Sequence, residues 1–183
     1  MMMKATGIVR RIDDLGRVVI PKEIRRTMRL KDGDALEIYT DSDGEVIFKK
    51  YSPIGELSPF AGQYAEAIYK NCDLPTVITD NDHVIACSGV PKRELADRRL
   101  TPACEELLEN RRSFVMGRNV GPHRPIKPIE GVERYAGIVF PIISAGDAVG
   151  TVIILGDGTS APSETAVKLA QVAASFLGKQ MEE

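Results

Sequence analysis

The stretch LGRVVIPKEIRRTMR, residues 15–29, changes character at its proline. The β-branched run before Pro21 is typical of a β-strand. Proline suits the first turn of a helix, and no helix breaker occurs from Lys22 to Arg29. We therefore predict a strand that leads directly into one short helix.

The predicted helix carries cations at positions i, i+3, i+4 and i+7, a spacing that places them on one face. They are Lys22, Arg25, Arg26 and Arg29. Like charges this close repel one another, and so short a helix is marginal by itself. A phosphate backbone would relieve the repulsion, so the face predicts a nucleic-acid contact. The alternative is a solvated helix face with cations clustered by chance.

The charge of the whole chain is divided unevenly. Residues 1–31 hold nine basic and three acidic residues, a net charge of +6, so the rest of the chain carries −8 of the total of −2. A basic segment joined to an acidic body is typical of a protein that binds a polyanion at one end, although such asymmetry also arises by chance. Arg10, Arg11 and Arg17 precede the helix and are expected to flank its basic face.

Residues 35–39, which alternate apolar and polar side chains, are followed by a turn at 41–44 and by an apolar run at 46–48. This pattern predicts a β-hairpin. About 50 residues with only short elements make a marginal core, and the segment has no disulfide or metal pattern to compensate. We therefore expect this part of the chain to pair with a second copy.

Residues 3–52 resemble the AbrB-type swapped-hairpin DNA-binding domain. The resemblance is carried by residues 3–11, 15–21, 23–26 and 35–39. It implies a mainly-β, dimeric barrel in which two chains interleave their hairpins and which binds double-stranded DNA. It also implies that the DNA-contacting arginines of the family correspond to Arg10, Arg17, Arg25 and Arg26.

The chain changes character again after residue 52, the end of the predicted DNA-binding domain. The two prolines, glycine and two serines of residues 51–59 predict a linker, placed at residues 53–57. Residues 58–183 follow as helix, hairpin, helix, proline-rich loop, hairpin and helix, which predicts an α+β domain with an antiparallel sheet. This order resembles that of a GAF domain, a sensor fold.

A small-molecule pocket is predicted under the proline-rich loop at residues 117–131. Its candidate lining residues are Cys87, Phe114, Arg118, His123 and Tyr135. Each has a plainer interpretation as a core or solvated residue. The last helix, expected from 164 to about 180, is apolar on more than one face, so it predicts a second self-association surface and a tetramer.

Several classes of function are not expected from this sequence. Its three cysteines form no paired spacing, which argues against a disulfide framework or zinc site and for a reducing cytoplasm. No catalytic motif, cofactor motif, signal peptide or membrane span is recognisable, so we expect no enzyme, no cofactor, no metal and no membrane partner. The sequence and the resemblance together predict a sequence-tolerant, DNA-binding transcription regulator. The alternative is an antitoxin-type or purely interaction protein built on the same DNA-binding segment.

Overall fold

A computed structural model describes residues 6–96, 98–118 and 125–182 of the chain. The chain consists of two compact units, Met1–Tyr51 (unit 1) and Ser52–Glu183 (unit 2). Within the described residues, no helix is both long enough and apolar enough to span a bilayer.

Unit 1 contains helix α1 (Lys22–Thr27) and strands β1 (Leu36–Thr40) and β2 (Val46–Lys50). The two strands pair antiparallel, in a register that runs from Leu36 opposite Lys50 to Thr40 opposite Val46. The Gly44 amide donates to the Asp41 carbonyl at 3.4 Å and closes the connecting turn. The predicted hairpin is confirmed.

Residues 6–20 form no strand ladder in the single chain, although their β-branched runs predict strands. They fold back at a tight turn, in which the Asp13 amide donates to the Arg17 carbonyl and the Gly16 amide to the Asp13 carbonyl, both at 3.0 Å. A β-strand satisfies its backbone groups only against a neighbouring strand. The described part of one chain offers none here.

The predicted helix is too long at its carboxyl end. Helix α1 ends at Thr27, and Arg29 adopts a left-handed backbone with a φ of 51°. The Leu30 amide then donates to the Arg25 carbonyl at 2.8 Å, which is the hydrogen bond of a Schellman ending. The prediction that Arg29 shares the basic face is therefore wrong, because the left-handed turn takes its side chain out of the helical spacing.

Unit 2 is, as predicted, an α+β unit with an antiparallel sheet. The sheet has five strands, in the order β4-β3-β7-β6-β5. Its elements are α2 (Pro53–Glu56), α3 (Ser58–Cys72), β3 (Thr76–Thr79), β4 (Val84–Ser88), α4 (Lys92–Leu95), α5 (Pro102–Glu109), β5 (Phe114–Val115), β6 (Tyr135–Ser144), β7 (Asp147–Gly156) and α6 (Glu164–Gln180). The short α4 and β5 have no counterpart in the sequence-based prediction.

The sheet of unit 2 buries both faces. Along β7, Val152 and Ile154 belong to the core under α3 and α6, whereas Ile153 and Leu155 belong to the core under α4 and α5. This alternation follows from the two-residue period of a strand. A strand segment that is buried on both sides is continuously apolar, as residues 152–155 of β7 are.

The predicted linker is folded into unit 2. Residues 53–56 form α2, and Ile54 is wholly buried in the core that α3 and α6 cover. Nor does Ser58 cap α3 as its position indicates; it lies inside the helix and its hydroxyl donates to the Ile85 carbonyl at 3.2 Å. Ser163 does cap α6, since its hydroxyl oxygen accepts from the Ala166 amide at 3.2 Å.

Candidate nucleic-acid interface

Arg17 lies on the tight turn of unit 1 and is held there by Asp13. One oxygen of the Asp13 carboxylate accepts from the Leu15 amide at 3.0 Å and the Arg17 amide at 2.8 Å, and the other accepts from Arg17 Nε at 2.8 Å. The Arg17 side chain still remains 69% exposed. Asp13 therefore orients the guanidinium and leaves most of it open to an external acceptor.

The same hydrogen bonds hold the pKa of the Asp13 carboxyl below its ordinary value of 3.8, with the backbone amide and then the side chain of Arg17 as the main causes. A lowered pKa means that the carboxylate stabilises the turn above the ordinary value, and that this stabilisation is lost as pH falls through the lowered one. At neutral pH the carboxylate is therefore ionised and available to hold the turn.

Helix α1 presents the other cations that retain a common face: Lys22, Arg25 and Arg26. Lys22 and Arg26 are exposed. Arg25 Nη1 donates to the Asp32 carboxylate at 2.9 Å, while Arg25 Nε is buried and has no hydrogen-bond partner in the described part of the chain. The Arg25 side chain is 42% exposed, so the open part of its guanidinium can bind an external anion in addition to Asp32.

The remaining predicted contacts lie elsewhere in unit 1. Arg10 and Arg11 are exposed on the arm before the turn, and Arg10 Nη1 donates to the adjacent Val9 carbonyl at 3.3 Å. Arg29 is half-buried beyond α1, and its carbonyl accepts from Lys50 Nζ at 3.4 Å. The described surface of unit 1 thus carries guanidinium groups on an arm, a turn and a helix, which are groups that bind phosphate or the guanine edge bidentately.

The predicted pocket residues of unit 2 are not gathered at one cavity. Cys87 lines a cavity between α3, β4 and α4, whereas Phe114 is 2% exposed in the core under α5. Arg118 pairs with Glu164 at 3.3 Å, and Tyr135 lies at the start of β6 with Lys127 Nζ 5.7 Å from its ring centre. His123 lies outside the described residues.

Sequence reasoning missed the other polar residues of that cavity, among them Gln63, Lys70 and Lys92. Gln63 and Lys70 lie on different turns of α3 and Lys92 lies on α4, so they form no local sequence motif. Only the packing of α3 and α4 on either side of β4 brings them together. Within the described residues, no group of histidine, cysteine and carboxylate side chains is arranged to hold a metal ion.

Comparison with known proteins identifies the class as a DNA-binding transcription factor. Residues 56–182 match the family model described as stage V sporulation protein T C-terminal, transcription factor, and residues 9–55 match that of antidote-toxin recognition MazE, bacterial antitoxin. The chain is 44% identical to stage V sporulation protein T of Bacillus subtilis (strain 168) over 183 residues, which covers 99% of this chain and 100% of that protein. The chain belongs to the stage V sporulation protein T family of transcription factors.

Each unit is also similar to other proteins by itself. Over 53 residues, 29% of this chain and 54% of the relative, the chain is 62% identical to the transition state regulatory protein AbrB of Bacillus subtilis (strain 168). The predicted AbrB-type segment is thereby confirmed. The GAF domain of the nutrient sensor CodY from Clostridium difficile is similar with a TM-score of 0.43 and 12% identity, covering 66% of this chain and 83% of that one.

Proposed function

We propose that the protein regulates transcription by binding double-stranded DNA with broad sequence tolerance, through unit 1, and that it activates some genes and represses others. Sporulation genes, including forespore genes, are the proposed targets, because the relative that matches the whole chain is a sporulation protein. The observation that supports DNA binding is the set of guanidinium groups exposed on unit 1, above all that of Arg17. The protein would act in the cytoplasm, on the nucleoid.

Unit 1 is proposed to work as a swapped-hairpin dimer. Pro21 is the one buried residue in its described part, whereas Val9 is 85%, Ile12 70% and Val19 71% exposed. Leaving so many large apolar side chains in water is unfavourable, at about 25 cal/mol for each Å². A second copy that interleaves its hairpin with this one would cover them and supply the missing strand partners.

A symmetric pair of these units would present two basic faces to successive grooves of a duplex, and so would favour pseudo-symmetric sites. Helix α1 has only six residues, Lys22–Thr27, which is short for reading a base sequence in the manner of a recognition helix. Phosphate contacts and DNA deformability would then supply most of the affinity and part of the specificity.

A salt titration of the full-length protein on a duplex tests this function. We expect the logarithm of the binding constant to fall linearly with the logarithm of salt concentration, with a slope of about −0.9 for each phosphate neutralised. Fluorescence anisotropy of a labelled duplex between about 50 and 200 mM salt measures the slope. A binding constant that does not change with salt, or no binding at low salt, would contradict the proposal.

Unit 2 is proposed to be a GAF-like sensor that also joins two dimers into a tetramer. On α6, Val172 is 58% and Phe176 39% exposed, and the Phe176 ring lies 5.7 Å from the ring centres of both Phe60 and Tyr64. This continuous apolar and aromatic surface resembles half of a helical interface.

Replacing Val172 with lysine should reduce the tetramer to a dimer, because the charge would be buried without a partner. Sedimentation equilibrium of the full-length protein at micromolar concentration measures the mass. Ala103→Lys, at an exposed position of α5 on the opposite face of the sheet from α6, is the matched control and should leave the mass unchanged. A wild-type protein that sediments as a monomer would contradict both oligomer proposals.

The antitoxin alternative is supported by the family model that matches residues 9–55. An antitoxin of this kind is expected to continue into a short disordered tail that binds its toxin. Here Ser52–Glu183 is a compact unit with two apolar cores, which favours a regulator. Copurification with a small toxin protein would favour the antitoxin.

A further inference from the structure

A cavity of about 770 Å³, open to solvent on one side, lies between α3, the edge strand β4 and α4, and its volume is within the range of small-molecule sites. None of the proposed DNA contacts lines it. Its wall has an apolar part, formed by Pro59, Val84, Ala86 and Ala96, and a polar part that includes Gln63 and Ser88. A ligand there would need an apolar body and a polar end.

The charges of the lining define that polar end. On α3, Lys70 is paired with Glu66, and this hydrogen bond is the main cause that holds the Glu66 pKa below its ordinary value. Lys92 enters from α4 and makes no ion pair with any residue that the structure describes. Two lysines and one glutamate therefore leave the cavity one positive charge in excess.

The excess positive charge is that of Lys92, and it acts on residues of both α3 and β4. Its field further lowers the pKa of Glu66 on α3, and on β4 it opposes the rise in the pKa of the Cys87 thiol that burial causes. Lys92 thus acts across the space between α3 and β4, where a ligand would lie.

Helix α4 is held in place by contacts that it makes away from the cavity. Leu95 is wholly buried in the core under α5, and Glu94 accepts from Arg134 Nε at 2.8 Å and from Arg134 Nη2 at 3.2 Å. Because the turn is held by packing and by a two-fold ion pair, the Lys92 backbone is positioned before a ligand arrives, which reduces the entropy lost on binding.

We propose that this cavity binds a small monocarboxylate with an apolar body, its carboxylate paired with Lys92. A monoanion matches the single excess positive charge, whereas a phosphate dianion would bring more negative charge than the lining compensates. The proposal gives a place and a ligand class to the sensor role proposed for unit 2, on which it rests. It does not depend on DNA binding by unit 1.

Cys87 provides a direct test because it lines the cavity. The full-length protein is alkylated with iodoacetate or with neutral iodoacetamide, and peptide mass spectrometry follows each cysteine. Both reagents react with the thiolate, so the ratio of their rates does not depend on the fraction of Cys87 that is ionised. The ratio reports how strongly the positive charge near Cys87 attracts the carboxylate of iodoacetate. Exposed Cys72 is an internal reference, and buried Cys104, whose pKa burial raises to about 12, should not react.

We expect the iodoacetate-to-iodoacetamide ratio at Cys87 to fall about threefold in Lys92→Gln, the effect of one unit charge at about 6 Å in water. Lys168→Gln, at an exposed position of α6, is the matched control and should keep the wild-type ratio. Equal ratios in the wild type and in Lys92→Gln would overturn the proposal, and intact DNA binding in the same sample would show that the function of unit 1 is unaffected.

A second measurement uses only the wild-type protein. Hexanoate at millimolar concentration should slow the reaction of Cys87 with iodoacetamide and leave the reaction of Cys72 unchanged. Inorganic phosphate at the same ionic strength should slow the reaction of neither cysteine. No protection by hexanoate would overturn the ligand class, as would equal or greater protection by phosphate.

Discussion

Replacing Arg17 with alanine should weaken binding of the full-length protein to duplex DNA by about tenfold to a hundredfold for each Arg17 contact that is lost. A hydrogen bond to a charged group contributes about 1.5 to 3 kcal/mol, and each tenfold in affinity is about 1.4 kcal/mol. The salt slope should also become shallower, by about 0.9 for each phosphate that is no longer neutralised and therefore by about twice that in a dimer. Anisotropy titrations at several salt concentrations measure both quantities.

The control for this prediction is Lys49→Ala, which removes an exposed cation of unit 1 from β2, outside the proposed contact set. It should change the affinity less than Arg17→Ala does. The tight turn must survive the substitution, and the Leu15 amide still has the Asp13 carboxylate as its acceptor. If Arg17→Ala binds DNA with the wild-type affinity and salt slope, the proposed role of the turn is wrong.

Gly178→Ala should destabilise unit 2 by about 3 kcal/mol or more, the upper range for inserting an atom into a packed interior. Helix α6 crosses β6 so closely at this glycine that an added Cβ would lie 2.0 Å from the Ile143 carbonyl oxygen and 3.0 Å from its carbon. Both atoms are backbone in the sheet, so neither can rotate away. Urea unfolding followed by circular dichroism of the helices measures the decrease in stability.

A matched control exists in α3. At Gly62 an added Cβ meets no atom within 4 Å, so Gly62→Ala should be neutral or stabilise the unit by up to about 1 kcal/mol through helix propensity alone. Equal stability of Gly178→Ala and the wild type would mean that α6 does not pack on β6 as the structure has it.

The local elements were the most predictable part of the fold. The hairpin of unit 1, the antiparallel hairpins of unit 2 and the span Glu164–Gln180 of α6 follow from apolar periodicity and turn residues, which act within a few positions of one another. The two short elements Lys92–Leu95 and Phe114–Val115 escaped prediction, because four and two residues are too few for a period to be recognised.

The outcomes for single residues depended on distant contacts. Ser58 and Ser163 both precede apolar helical patterns, yet only Ser163 caps its helix, because α3 already begins at Ser58 and its N-cap residue is Leu57. Arg29 left the basic face through a left-handed turn that its sequence, without a glycine, does not indicate. Neither effect is encoded within the local window of residues.

The sequence by itself determined that one end of the chain is basic and that a short helix there carries cations on one face. It also determined that the remainder is an α+β unit, since charge distribution and side-chain period are properties of the chain alone. Only the tertiary structure decided which cations remain exposed, where the linker is buried and that Lys92 faces Cys87 and Glu66 across a cavity. These are distances between segments far apart in the chain, and they exist only once packing has selected one arrangement.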